Sequence, residues 1–125
     1  MAIKVAGTNV IDDARQLVNI TGAFGTYDDF HPTVTPITTT LDMTLPVMTR
    51  TMSAGQEFTS LNRATGRTSV LLLDISASNY VPTFSVPMYF AGGTLPIWAN
   101  ARYWVITFIC YNNSFVMANA AGYNF

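Results

Sequence analysis

From Ile37 to Val47 the chain alternates: Ile37, Thr39, Leu41, Met43, Leu45 and Val47 interleave with Thr38, Thr40, Asp42, Thr44 and Pro46. A period of two over that length predicts a β-strand with one apolar and one Thr-rich face. Pro46 limits its second half to an edge or a strand end, because proline cannot donate to a ladder. Gly55, Asn62 and Gly66 punctuate the next interval, which contains the short run from Glu57 to Leu61. From Arg67 to Ser76 a second strand is expected, apolar on both faces at its centre, Val70 to Leu73. Tyr80 to Ala91 is β-like but bent or peripheral because of Pro82 and Pro87, and Gly92-Gly93 ends it.

The last long strand, Arg102 to Tyr111, sets Trp104, Ile106, Phe108 and Cys110 on one face and Tyr103, Val105, Thr107, Ile109 and Tyr111 on the other. Asn112-Asn113 suits a tight turn with φ > 0, returning the chain through Ser114 to Ala118 as a hairpin partner. Asp12 to Asn19 is the one helix candidate, opened by an Asp cap but followed by Val18, Asn19, Ile20 and Thr21, which favour extension. The expected fold is all-β: a single β-sandwich or jelly-roll-like domain over residues 23–125, behind an extended N-terminal arm over residues 1–22.

Two strands that are apolar on both faces demand cover on both, whereas a sandwich buries one face of each sheet. Either Tyr and Thr decorate a solvated face, or that face meets another subunit. Composition favours the subunit. Only 13 of 125 residues are charged, against an apolar share of 50 %, and interface cores are depleted of charge and rich in aromatics and Met. Trp104, Ile106 and Phe108 are the strand residues expected at such an interface. The 17 Thr supply polarity without charge on β-branched side chains that fit a pleated strand.

The same arithmetic removes several functions. High hydrophobicity with low net charge excludes whole-chain disorder. A formal net charge of −1 offers no footprint for nucleic acid or an anionic membrane surface. The longest apolar-rich stretch, Tyr103 to Tyr111, is about half the ~20 residues of a spanning helix. Residues 1–10 carry only Lys4 and no apolar core, so no signal peptide is read. A single thiol, Cys110, allows neither an intrachain disulfide nor a cysteine-based zinc site.

Candidate chemistry is thin. The single histidine, His31, stands beside Asp28 and Asp29 in a loop that would suit a cation, but the same residues make an ordinary capped turn before Pro32. Asp12-Asp13 is a poor acid–base dyad, since adjacent strand residues point to opposite faces. Neither a P-loop nor GxGxxG is present. No enzyme, metal or cofactor is expected. Trp98, in Leu95-Pro96-Ile97-Trp98, is either a ligand platform or a buried plug at a sandwich end, and the adjoining Pro loop favours the plug. Tyr103 is the other ligand-stacking candidate.

The N-terminus, Ile3-Lys4-Val5-Ala6-Gly7-Thr8-Asn9-Val10-Ile11-Asp12-Asp13-Ala14-Arg15-Gln16-Leu17-Val18-Asn19-Ile20, resembles the short leader of tail-fibre and related virion proteins of tailed bacteriophages. There a strand, a Gly-Thr turn and a Val-Ile-Asp-Asp-x-Arg-x-Leu-x-Asn-Ile run recur. In this arm Ile3, Val5, Val10, Ile11, Leu17 and Ile20 would anchor the chain to copies of itself or to other virion proteins. Asp12 or Asp13 would pair with Arg15, within or between chains, to set register. The resemblance implies a non-enzymatic virion structural protein, made in the host cytoplasm, that forms a homotrimer and meets a host surface glycan or receptor. A capsid decoration, or cement, protein that tightens the shell is the alternative within the virion. A small carbohydrate-binding β module using Trp98 or Tyr103 is the alternative outside it.

Overall fold

The computed structural model describes Ile3–Val5 (β1), Thr8–Ile11 (β2) and residues 32–125. The chain divides into two compact units, Met1–Pro32 and Thr33–Phe125, where the sequence pattern placed the division after residue 22. In the first unit β1 and β2 pair antiparallel, with Val5 opposite Thr8, Lys4 opposite Asn9 and Ile3 opposite Ile11. The beginning of the arm is thus a hairpin. The helix expected over Asp12 to Asn19, the arm residues Asp12, Arg15, Leu17 and Ile20, and the Asp28, Asp29 and His31 loop lie outside the described residues.

The second unit is strand-rich with almost no helix, as an all-β reading requires. Its strands are Val34–Pro36 (β3), Thr40–Asp42 (β4), Val47–Thr51 (β5), Gln56–Leu61 (β6), Thr68–Asp74 (β7), Pro82–Phe84 (β8), Met88–Phe90 (β9), Tyr103–Cys110 (β10) and Val116–Tyr123 (β11). A six-stranded sheet has the order β3-β5-β7-β10-β11-β9 and a three-stranded sheet the order β4-β6-β8. From β3 to β9, successive strands therefore alternate between the sheets. This alternation explains why β3, β5 and β7, like β4, β6 and β8, pair parallel. Parallel neighbours need a long crossover, usually a helix, and here the strand laid down in the other sheet serves as that crossover. Antiparallel pairing enters with β7–β10 and β10–β11, while β9 joins β11 in parallel.

Core side chains come from alternate positions in both sheets: Met48, Leu71, Leu73, Ile106 and Phe108 from the larger, Leu41 and Phe58 from the smaller. Full burial of such a side chain contributes about 1.5–3 kcal/mol. An aromatic cluster fills one region of this core. Phe84 lies 5.4 Å from Phe58, 5.1 Å from Phe90 and 5.8 Å from Trp98, ring centre to ring centre, and Trp98 meets Trp104 edge to face at 4.9 Å.

The alternation from Ile37 to Val47 is not one strand. The chain turns after β4, because Asp42 Oδ1 accepts from the Thr44 N–H at 2.9 Å, the Thr44 hydroxyl at 2.6 Å and the Asn62 amide at 3.1 Å. A carboxylate that satisfies the backbone two residues on offers a turn in place of a ladder. Burial keeps its alternation around this corner, since Leu41 and Met43 are both core residues. The Thr44 hydroxyl, then the Thr44 N–H and the Asn62 amide, hold the Asp42 carboxyl below its ordinary value. The folded chain binds this proton less tightly than the unfolded chain. The stabilisation is therefore complete above the unfolded value, about pH 4, and is lost as pH falls through the lower folded value. Urea midpoints followed from neutral pH into acid should fall less steeply for Asp42→Asn; equal slopes would contradict this account.

The β10–β11 hairpin forms as the pattern predicted, by a different turn. The Asn112 Oδ1 accepts from the Ser114 N–H at 2.7 Å and the Phe115 N–H at 2.8 Å, so a side chain closes the connection. Among described non-glycine residues only Asn62 has a positive φ. Gly92 and Gly93, at φ 72° and 70°, stop the preceding run as expected. On β11, Gly122 faces Trp104. A Cβ there would stand 2.6 Å from the Ala101 Cβ and 3.0 Å from the Trp104 ring. Gly122→Ala should cost about 1–3 kcal/mol by overpacking, read from chemical denaturation; an unchanged midpoint would contradict the close approach.

Candidate assembly face

Each long strand of the six-stranded sheet buries alternate residues and turns the others outward. Register then lines the outward residues up in rows. Val34, Val47, Val70, Thr107 and Asn119 are successive neighbours across β3, β5, β7, β10 and β11, and Pro36, Thr49, Leu72, Val105 and Ala121 form the next row. Tyr89, Met117, Ile109 and Thr68 make a third towards β9, and Tyr123, Tyr103 and Asp74 a fourth at the opposite end of β10. Leu72, Ile109 and Met117 are 39, 42 and 47 % exposed. Asp74 is the one charged residue among these strand positions, at the margin of the face.

The outward face of the three-stranded sheet is different. Thr40 and Asp42 on β4, Glu57, Thr59 and Leu61 on β6, and Thr83 on β8 point away from the core, so this face is polar apart from Leu61. The smaller sheet, although its strands pair parallel, turns mostly polar residues outward; the larger presents valine, leucine, isoleucine, methionine and tyrosine, with Thr49, Thr68, Thr107 and Asn119 among them. Large exposed apolar patches on folded chains mark interaction surfaces. Two hollows indent it. One, of about 330 Å³, lies among Thr49, Leu72, Tyr103, Val105 and Tyr123; the other, of about 600 Å³, among Tyr89, Thr107, Ile109 and Met117.

Edge pairing is a poor route to association for this sheet. Its outer strands, β3 and β9, have three residues each, with Pro36 ending one and Pro87 just before the other. Short, proline-bearing edges are how sheets block strand addition. The open face remains.

The interface expectation for Trp104, Ile106 and Phe108 does not hold. They are 6, 0 and 0 % exposed, so their side chains pack within the chain's own core. The pattern showed that β10 is apolar on both faces but not which face turns inward. The bulkier set went inside, and Tyr103, Val105, Thr107 and Ile109 are the residues left to meet a neighbour. Those residues, with Leu72, Met117 and Tyr123, were not singled out as interface residues, although the two-sided runs from Val70 to Leu73 and from Tyr103 to Tyr111 carried the signal.

Trp98 is the buried plug, held in a 3-10 turn over Trp98–Asn100 and packed edge to face on Phe90 as well as on Trp104. Tyr103 is half-buried and stacks on Phe125, ring centres 4.4 Å apart and 8° from parallel. Ile3, Val5, Val10 and Ile11 lie on the paired strands of the N-terminal hairpin. Cys110 is a buried free thiol. No group of three or more metal-ligating side chains occurs among the described residues, and no helix among them is long and apolar enough to cross a membrane.

Searches against family models, curated proteins and solved structures return no match to this chain.

Proposed function

We propose that the chain is a non-enzymatic structural protein of a bacteriophage virion, of tail-fibre or appendage type, which assembles with copies of itself through the outer face of the six-stranded sheet. The observation that carries this reading is the contrast between the two outward faces, one largely apolar and one largely polar, in a single small unit. A sheet face of that composition loses unfavourable contact with water when it meets its equivalent on another copy, at about 25 cal/mol for each Å² of apolar area removed. Standard interfaces bury about 800 Å² per partner, which a six-stranded sheet is wide enough to offer. In finer detail, the core shared by the two sheets supports a two-layer β-sandwich, with the N-terminal hairpin as the beginning of an assembly arm. The placement in a virion, with a homotrimer as the assembled form, rests on the leader's resemblance to phage tail-fibre proteins.

Quantitative mass spectrometry of purified phage particles tests the placement. The chain is expected at fixed copy number in intact, density-banded particles. Its recovery from the infected-cell lysate alone, with none in the particles, would contradict the virion assignment.

A further inference from the structure

The outer face of the six-stranded sheet changes character along its strands. At the end where β10 begins and β11 finishes, Tyr103 and Tyr123 are paired neighbours, and Phe125 lies flat on Tyr103, ring centres 4.4 Å apart, while remaining 91 % exposed. The stacked rings make this end a ridge. At the other end of the same two strands the outward neighbours are Ile109 and Met117, and the larger hollow, of about 600 Å³, opens among them, Thr107 and Tyr89. The outward residues between the two ends are smaller: Val105 beside Ala121, then Thr107 beside Asn119.

These two ends decide how one copy of the face can meet another. With like ends together, ridge meets ridge and hollow meets hollow. The rings then hold the sheets apart at one end, and unfilled space is left at the other. Interface cores pack as densely as protein interiors and tolerate neither fault. With opposite ends together, the rings of one copy enter the hollow of the next, Tyr103 coming against Ile109 and Tyr123 against Met117. Phe125, almost wholly exposed, offers most of the about 150–250 Å² that an aromatic side chain can bury. The polar groups agree with this arrangement. The tyrosine hydroxyls, which need partners once buried, arrive beside the Thr107 hydroxyl and the Asn119 amide. Asp74, the neighbour of Tyr103 on β7, arrives on the side of Thr68, the neighbour of Ile109, so no carboxylate faces another.

We propose that self-association joins opposite ends of this face, the ridge of Tyr103 and Phe125 on one copy seating in the hollow of Tyr89, Ile109 and Met117 on the next. The inference rests on the assembly reading above and adds to it the occupant of the hollow and the orientation of the contact. Ridge and hollow are separate patches of one copy, so the contact is heterologous, the kind that closes into a ring.

Sedimentation equilibrium of the full chain and three variants tests the proposal: Tyr103→Glu, Ile109→Arg and the two substitutions together. Each single substitution puts an unpaired charge into the contact and should weaken self-association about tenfold or more. In the double variant the carboxylate of one copy meets the guanidinium of the next, and association should recover at least tenfold over either single variant. Like ends together would set carboxylate on carboxylate and guanidinium on guanidinium, making the double variant the weakest of the three. Circular dichroism of every variant should match the original chain, because both positions point out of the core. A bis-maleimide able to span the ~10 Å between stacked sheets gives a second reading. Chains carrying Tyr103→Cys and chains carrying Ile109→Cys should cross-link when mixed and not when separate, with the original chain, whose one thiol is buried, as the blank. The proposal is overturned if the double variant associates no more tightly than the single variants, or if Tyr103→Cys chains cross-link to one another. An original chain that associates while the double variant fails to recover leaves the assembly reading standing without this orientation; an original chain that stays single overturns both.

Discussion

Trp98→Ala should destabilise the chain by about 3–5 kcal/mol, the cost of removing a buried tryptophan and leaving its cavity. Trp98 packs against Phe84, Phe90 and Trp104, so three aromatic neighbours lose a partner at once. Domains of this size have roughly 5–15 kcal/mol of stability in total, and the variant should sit close to unfolding at room temperature. Trp98→Phe should recover a large part of the loss, because it keeps an aromatic ring against Phe84 and Phe90. Urea denaturation followed by circular dichroism reads both variants. A loss within about 0.5 kcal/mol, as for an ordinary surface position, would mean that Trp98 is an exposed platform and that the aromatic cluster is misassigned.

The second large effect concerns association. Leu72 and Val105 are neighbours at the centre of the apolar face. Leu72→Lys with Val105→Lys would place two ammonium groups where the assembled form excludes water, and a buried unpaired charge costs about 2–5 kcal/mol or more in an interface. The expected result is a weakening of self-association by about a hundredfold or more, with the circular dichroism of the single chain unchanged. Glu57→Lys, on the polar face of the smaller sheet, is the matched control and should leave association as it was. If the double variant associates like the original chain, the outer face of the larger sheet is not the interface.

Much of the fold is readable in the residue pattern, and its failures have physical causes. The hairpin of β10 and β11, the stop at Gly92-Gly93, the peripheral place of the Pro82 and Pro87 segment and the burial of Trp98 all follow from local chemistry. Periodicity does not distinguish a straight strand from two strands joined by a corner, because Leu41 and Met43 stay inward while Asp42 turns the chain. Parallel pairing was equally hidden. It depends on which sheet each successive strand enters, a long-range choice that no local run encodes. The same limit governs the site. Two apolar faces on β10 signal an interface, but only the packing of Trp104 against Gly122 and Trp98 decides which face is core.

Self-association through the large sheet is the central claim, and the mass of the purified full chain in solution tests it most directly. Size-exclusion chromatography with multi-angle light scattering at micromolar concentration should return a multiple of the 13.7 kDa chain, three copies if the leader's resemblance extends to its assembly. A single species of 13.7 kDa that persists as the protein is concentrated would contradict the account.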